Sequence, residues 1–245
     1  MIDLDRSSSF PLYLQVKQGV LKEIEEEHWK EGDLIKPEND LAHELGVNRL
    51  TVRQALTDLA EEGVVVRIRG KGTFVAHRKV AQSLSRLSSF SEDMLSMGMK
   101  PSSEVLKMEI REASTQEVQH LSLIEESKVF ELRRLRKADG IPMGIETSVL
   151  PYNLVVGLTK LPFGSVDSLY VALREICGIE VVRAEQSIEA VSATTSLAKM
   201  LGVKEGMPLL KMLRVTYSPT NKPVEWVHSF YRGDRYILRV NLKQF

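Results

Sequence analysis

Between Leu41 and Leu56 the chain reads LAHELGVNRLTVRQAL, and this stretch constrains the fold most because its apolar residues require two short helices meeting at a glycine. Leu41, Ala42 and Leu45 recur at the three-and-four spacing of one helical face, and Gly46 supplies the left-handed backbone that ends a helix. Asn48 is placed to cap a second helix whose buried stripe is Val52, Leu56 and Leu59. That stripe leaves Arg49, Thr51, Arg53 and Gln54 on other faces. Arginine pairs bidentately with guanine or grips phosphate, while threonine and glutamine reach base edges, so the second helix carries groove-reading chemistry. Taken alone, the pattern describes an ordinary antiparallel helix pair equally well.

The next residues separate the two readings. Glu61, Glu62 and Gly63 end the helix, and then Val64 to Arg69 and Gly70 to Val75 form two β-rich runs around a Gly-Lys-Gly turn. A basic hairpin directly after a recognition helix is a wing. Its tip can lie along the adjacent minor groove, where Gly70 and Gly72 allow close backbone approach and Arg69 and Lys71 meet concentrated negative potential. The expected first domain is therefore a winged helix over residues 1–78 that binds double-stranded DNA. Net charge gives no help, being zero for the 245-residue chain and −2 from Met1 to Lys79. Its distribution does: from Asn48 to Lys79 the net charge is +4, while acidic residues crowd between Glu23 and Glu31.

The run VNRLTVRQALTDLAEEGVVVRIRGKGTFV resembles the winged helix of the GntR family of bacterial transcription regulators, and the resemblance extends over residues 9–76. It implies that Arg49, Thr51 and Arg53 approach bases and phosphates and that Gly72 sits at the wing tip. One departure stands out. The family usually carries Leu-Pro-Ser-Glu-Arg before its second helix, with the serine and arginine touching DNA, where this chain has Ile35, Lys36, Pro37, Glu38 and Asn39. Pro37 cannot donate as serine would, and Asn39 replaces a cation with an amide that prefers adenine. Lys36, Glu38, Asn39 and Asn48 complete the candidate DNA-binding set.

The remaining composition mainly excludes. A single cysteine, Cys177, rules out a disulfide framework and reads as a small buried hydrophobe in the helical pattern before Gly178. The start MIDLDRSSSF does not read as a signal peptide, and no apolar run approaches the roughly 18 residues that span a membrane. A cytoplasmic protein without membrane contact is expected. The five histidines lack ligand spacing, so neither a metal nor a cofactor is expected.

From Lys79 the sequence becomes polar (KVAQSLSRLSSFS) and reads as a linker over residues 79–90, followed by a second domain over 91–245. That domain repeats itself at an offset of 80: Ala113, Thr115, Leu121, Glu125 and Arg134 match Ala193, Thr195, Leu201, Glu205 and Arg214. Each copy reads as a capped helix, a turn, a strand and a hairpin, giving two α+β halves that share one sheet. The segments LSSFSEDMLSMGM, LRRLRKADGIPMGIETSVLP, SATTSLAKMLGVKEGMPLL and VEWVHSFYRGDRY resemble the ligand-binding UTRA domain of the HutC branch of the GntR family. That resemblance implies a chorismate-lyase-like α+β fold with an antiparallel sheet. It is strongest toward repressors of N-acetylglucosamine utilisation, which respond to amino-sugar phosphates.

The residues point to an anionic ligand on their own account. In the strand from Phe130, the even positions Phe130, Leu132, Arg134 and Arg136 share a face, so two arginines project from the side that begins as core, and buried cations need anions. Ser89 and Glu92 form a capping box beside Phe90 and Ser91, and Ser168 opens the helix that carries Tyr170. Two helix starts plus Arg134 and Arg136 make a phosphate cradle. Near the C-terminus Val224, Trp226 and Phe230 form the apolar face, leaving Glu225, Ser229 and Tyr231 to meet sugar hydroxyls or an amine. A plainer reading pairs the two arginines with Glu146 as a structural network and leaves Ser91 and Ser168 as helix caps. Glu146 depends on hairpin register: a three-residue Ala138-Asp139-Gly140 loop puts it on the arginine face, and a two-residue Asp-Gly turn puts it on the other.

These features together predict a homodimeric, effector-responsive transcription regulator, a repressor of a sugar or amino-sugar catabolic operon, that reads a pseudo-palindromic operator, with a sugar phosphate such as glucosamine 6-phosphate or N-acetylglucosamine 6-phosphate as effector. A regulator sensing a non-sugar metabolite is the alternative. A chorismate-lyase-like enzyme is the other class, but fold does not confer activity and a lyase has no use for a winged helix, so no catalysis is expected.

Overall fold

The computed structural model describes residues 2–76, 79–160 and 168–242, and the chain divides into two compact units, Met1–Arg78 and Lys79–Phe245. In the first unit α1 (Leu12–Glu25), β1 (Leu34–Ile35), α2 (Glu38–Leu45), α3 (Arg49–Glu61), β2 (Val65–Ile68) and β3 (Gly72–Val75) follow in order. α2 stops where Gly46 turns left-handed at φ 61°, and Arg6 donates to its carbonyl at 2.7 Å. Two residues later Asn48 caps α3 by accepting from the Leu50 amide at 2.8 Å. The expected stripe of Val52, Leu56 and Leu59 is fully buried against Val16 and Val20 of α1 and Leu41 of α2. Each such side chain contributes about 1.5–3 kcal/mol on burial, which holds α3 against its neighbours and leaves its polar faces outward.

The wing forms as a three-stranded sheet in the order β1-β3-β2. Ile68 pairs with Gly72, so the tip is Arg69-Gly70-Lys71, with Gly70 at φ 75°. Gly72 is therefore not at the tip as the family resemblance implies. It begins β3 at φ 119°, a backbone conformation that side-chain-bearing residues rarely adopt, and that conformation is what favours glycine there.

The second unit contains β4 (Val80–Ser83), α4 (Phe90–Ser96), β5 (Pro101–Glu112), α5 (Thr115–His120), β6 (Lys128–Ala138) and β7 (Ile141–Pro151). Two 3-10 turns, α6 (Leu169–Cys177), β8 (Arg183–Ser192), α7 (Thr195–Leu201), β9 (Pro208–Tyr217), β10 (Pro223–Arg232) and β11 (Tyr236–Arg239) complete it. Six strands make one antiparallel sheet in the order β5-β6-β7-β10-β9-β8. That order is the sequence repeat made visible: β5-α5-β6-β7 and β8-α7-β9-β10 are equivalent halves meeting at the β7/β10 seam. Ser114 and Thr194, 80 residues apart, cap the equivalent helices α5 and α7.

Two expectations need correction. The polar stretch over residues 79–90 is not a free linker, because Val80–Ser83 form β4 and pair in parallel with β11 from the far end of the chain. The β6/β7 turn is the two-residue Asp139-Gly140 form, both residues at positive φ, which alone would have turned Glu146 away from the arginines. A β-bulge after Arg136 inserts Met143, so Arg136 pairs with Gly144 and Arg134 with Glu146. The bulge restores the shared face. Cys177 ends α6 only partly buried, its thiol pushed up by burial. Among the described residues no helix is long and apolar enough to cross a membrane, and no group of three or more His, Cys, Asp or Glu is gathered to hold a metal.

Candidate functional site

On the first unit one exposed groove gathers Lys36, Glu38, Asn39, Arg49, Lys71 and Gly72, which the sequence scatters over 37 positions. The start of α2, the start of α3 and the wing build it together. Glu38 organises it: its carboxylate meets Arg49 Nε at 3.1 Å and Arg67 Nη2 at 3.3 Å. Arg67 also donates to the Arg53 carbonyl at 3.1 Å, tying wing to helix. Glu38, a candidate DNA contact by sequence, thus spends its charge on neighbouring arginines, a role that suits positioning rather than contact with a polyanion. Lys36 is held by Glu44 at 2.5 Å. Asn48 uses its side chain on the α3 cap. Arg53 and Arg69 are exposed and Thr51 is half-buried. Sequence reasoning missed Arg67, although its alternation with Arg69 in the wing strand was visible.

In the second unit the sheet, α4 and α6 enclose a pocket. It brings together Ser89, Phe90, Arg134, Arg136, Glu146, Ser168, Tyr170, Glu225 and Tyr231. Ser91, also a candidate, lies outside the lining but accepts from Arg136 Nη2 at 3.1 Å. The cap of α4 is Ser89, not Ser91, in a full capping box with Glu92, and Ser168 caps α6. Register explains the convergence. Arg134, Glu146, Ser229 and Met212 stand in one row across β6, β7, β10 and β9, and Arg214 sits beside it opposite Val227.

The charges are buried and interlocked. Arg134 forms an ion pair with Glu146, and the Tyr231 hydroxyl donates to the same carboxylate at 3.2 Å. Arg136, only 2% exposed, donates to Ser103 Oγ at 2.6 Å and lies 4.4 Å over the Phe90 ring. Arg214 donates to Gln186 at 2.6 Å. Burial pushes the Glu146 carboxyl up, but Arg134, Arg136 and Arg214 outweigh it and hold Glu146 below the usual carboxylate range. Glu225 goes the other way. Burial, against the nearby Ser148 hydroxyl and with the Glu146 charge adding, pushes it up to about 7, and its Oε2 has no hydrogen-bond partner among the described residues. Burial also raises the Tyr170 and Tyr231 phenols, keeping both as neutral hydrogen-bond donors.

Among the described lining residues, three guanidinium groups therefore face one firmly ionised carboxylate and one that is half-protonated near neutrality. The plain Arg134–Glu146 network exists, and Arg136 and Arg214 stand beside it with hydrogen-bond partners of their own. Arg214 was missed as a site residue, yet it is the repeat partner of Arg134 at the offset of 80 and could have been read from that symmetry.

Comparisons with known proteins agree with this division. The gntR family of bacterial regulatory proteins matches residues 12–75, and the UTRA domain matches residues 96–237. The HTH-type transcriptional repressor NagR of Bacillus subtilis (strain 168) is 34% identical over 235 residues, covering 96% of each chain. The mannosyl-D-glycerate transport/metabolism system repressor MngR of Escherichia coli (strain K12) is 29% identical over 226 residues, 92% of this chain and 93% of that relative. Among solved structures, PhnF from Mycobacterium smegmatis superimposes with a TM-score of 0.75 at 28% identity, covering 93% of this chain and 99% of that one.

Proposed function

The chain belongs to the gntR family of bacterial regulatory proteins and pairs the family's DNA-binding domain with a UTRA domain, and from that premise we propose an operator-binding homodimer controlled by a sugar phosphate. As in its repressor relatives, the winged helix supplies DNA binding, with Arg49, Thr51 and Arg53 of α3 at the major groove and Arg69 and Lys71 of the wing tip at the minor groove. Two copies related by a twofold axis would read the two half-sites of a pseudo-palindrome.

The observation that carries the effector reading is the charge of the pocket: among the described residues, Arg134, Arg136 and Arg214 line it with one carboxylate held ionised, Glu146. Guanidinium groups already stripped of water are placed to receive an anion that fits the cavity. A phosphate offers several acceptor oxygens to the arginines and to the Ser89 and Ser168 helix starts, while Glu225 and Tyr231 suit the hydroxyls or amine of a sugar. Effector binding then shifts the population between conformations that differ in operator affinity. No catalytic step follows from this arrangement, and turnover of chorismate by the purified protein would overturn the regulator-only reading.

Thermal-shift measurements on the full chain with sugar phosphates and their unphosphorylated counterparts test the effector class. Glucosamine 6-phosphate and N-acetylglucosamine 6-phosphate should raise the melting temperature where glucosamine and N-acetylglucosamine do not. Equal shifts from both groups would remove the phosphate, and a shift only from non-sugar metabolites would remove the sugar.

A further inference from the structure

The wall of the pocket includes a residue on the strand that follows the DNA-binding unit in the chain. The first unit ends at Arg78 and β4 begins at Val80. Gln82 of β4 is 7% exposed and lines the cavity. Its amide is only half used. Nε2 donates to Asp93 Oδ2 at 2.9 Å, while Oε1 is buried with no hydrogen-bond partner among the described residues. A buried acceptor left unmade is unfavourable, and a ligand that brings a donor to it removes the penalty.

Asp93 fixes this arrangement from the pocket side. It is buried in α4, and it also accepts from Ser88 Oγ at 2.6 Å, so it anchors both Gln82 and the segment leading into α4. A second route reaches the same strand. Val80 of β4 pairs with Tyr236 of β11, and the Tyr236 ring lies 4.5 Å from that of Tyr231, whose hydroxyl donates to Glu146. The small β4/β11 sheet is thus held to the pocket at Gln82 and again through Tyr236.

We propose that Gln82 contacts the effector, its carbonyl accepting from a ligand hydroxyl or amine, and that this contact, held by Asp93, moves β4 and so passes occupancy to the chain segment leading into the DNA-binding unit. The proposal rests on the ligand-pocket reading above and assigns to one residue both a share of recognition and the start of the signal. The anion would be held by the arginines, whereas Gln82 would read the polar body of the ligand.

The test uses the full chain, glucosamine 6-phosphate as probe, and an operator duplex selected from random sequence. Gln82→Leu removes both amide atoms at similar volume. It should weaken probe binding by at most about tenfold in calorimetry, as expected for one neutral hydrogen bond. At saturating probe, however, its change in operator affinity should be smaller than that of the unsubstituted protein by about threefold or more. A full-sized change in Gln82→Leu would overturn the proposal. Gln82→Glu is the second variant, because it keeps an acceptor for the ligand but loses the donor to Asp93. Without any effector its operator affinity should differ from that of the unsubstituted protein by about threefold or more. If the unsubstituted protein fails to bind glucosamine 6-phosphate, the sugar-phosphate reading fails. The role of Gln82 is then decided by the effector-free Gln82→Glu measurement, where affinity equal to the unsubstituted protein would overturn it.

Discussion

The two units place arginine in opposite settings. Arg49 at the start of the recognition helix has a side chain 57% exposed, whereas the Arg134 side chain in the pocket is 3% exposed and Arg136 lies fully inside. An exposed guanidinium keeps its hydration and waits for a polyanion that sheds counterions on contact. A buried one has already lost water, is held by partners inside the cavity, and admits only an anion that fits there. On the proposed function, one unit is an open reading face and the other a closed receptor, although both use the same side chain.

Salt should expose this difference with the largest effect. Raising monovalent salt from about 50 to about 200 mM should weaken operator binding by about a thousandfold for a dimer with six or more phosphate contacts. Effector binding in the screened-off pocket should change by less than about tenfold over the same range, since buried charges feel salt weakly. Fluorescence anisotropy for the operator and calorimetry for glucosamine 6-phosphate measure the two slopes. Equal slopes would mean that the pocket arginines are solvated and the contrast is false.

The reading face was far more legible in the sequence than the pocket, and the reason is range. Gly46, the Asn48 cap and the Val52, Leu56 and Leu59 stripe act within one or two helical turns, so spacing reveals them. The wing followed from alternation and glycines, although local pattern did not announce β1, the third strand of its sheet. In the pocket, Arg134 and Arg136 were visible from period two, but the fate of Glu146 turned on a bulge at Met143 that no turn rule predicts. Residues 79–90 looked like a linker because β4 has its strand partner at the opposite end of the chain, beyond the reach of local composition. Only the internal repeat carried long-range information, and it pointed to Arg214.

Protons should distinguish the units next. Burial, with the Glu146 charge adding and against the Ser148 hydroxyl and the arginines, raises Glu225 from the ordinary 4.5 to about 7. A carboxyl raised on folding binds protons more tightly in the folded state. Its contribution is therefore fully present below pH 4.5 and is lost as pH rises through 7, a change of about 3 kcal/mol over that window. Glu225→Gln should remove this component, so that the difference in unfolding free energy between variant and unsubstituted protein grows in the variant's favour from pH 5 to pH 8. Urea denaturation at the two pH values measures it. Parallel pH profiles would mean that Glu225 is ionised in the folded protein and that the pocket is less dry than its burial suggests.

The smallest effect tests how the reading face is divided. Arg49 stands at the start of α3 and is oriented by Glu38, whereas Asn39 is an exposed amide in the first turn of α2 within the same groove. An oriented guanidinium delivers a bidentate contact worth about 1–3 kcal/mol, so Arg49→Ala should weaken binding to the selected operator by about thirtyfold. Asn39→Ala should cost less than about fivefold, because a flexible amide offers at most one well-formed bond at an exposed edge. The same ranking must appear in salt: Arg49→Ala should lower the slope of log affinity against log salt by about one if Arg49 also neutralises a phosphate, and Asn39→Ala should leave it alone. A larger loss at Asn39 than at Arg49 would place the reading head at α2 instead of α3. Glu38 would then hold Arg49 away from DNA, and the exposure that separates the two sets of arginines would cease to explain what each one binds.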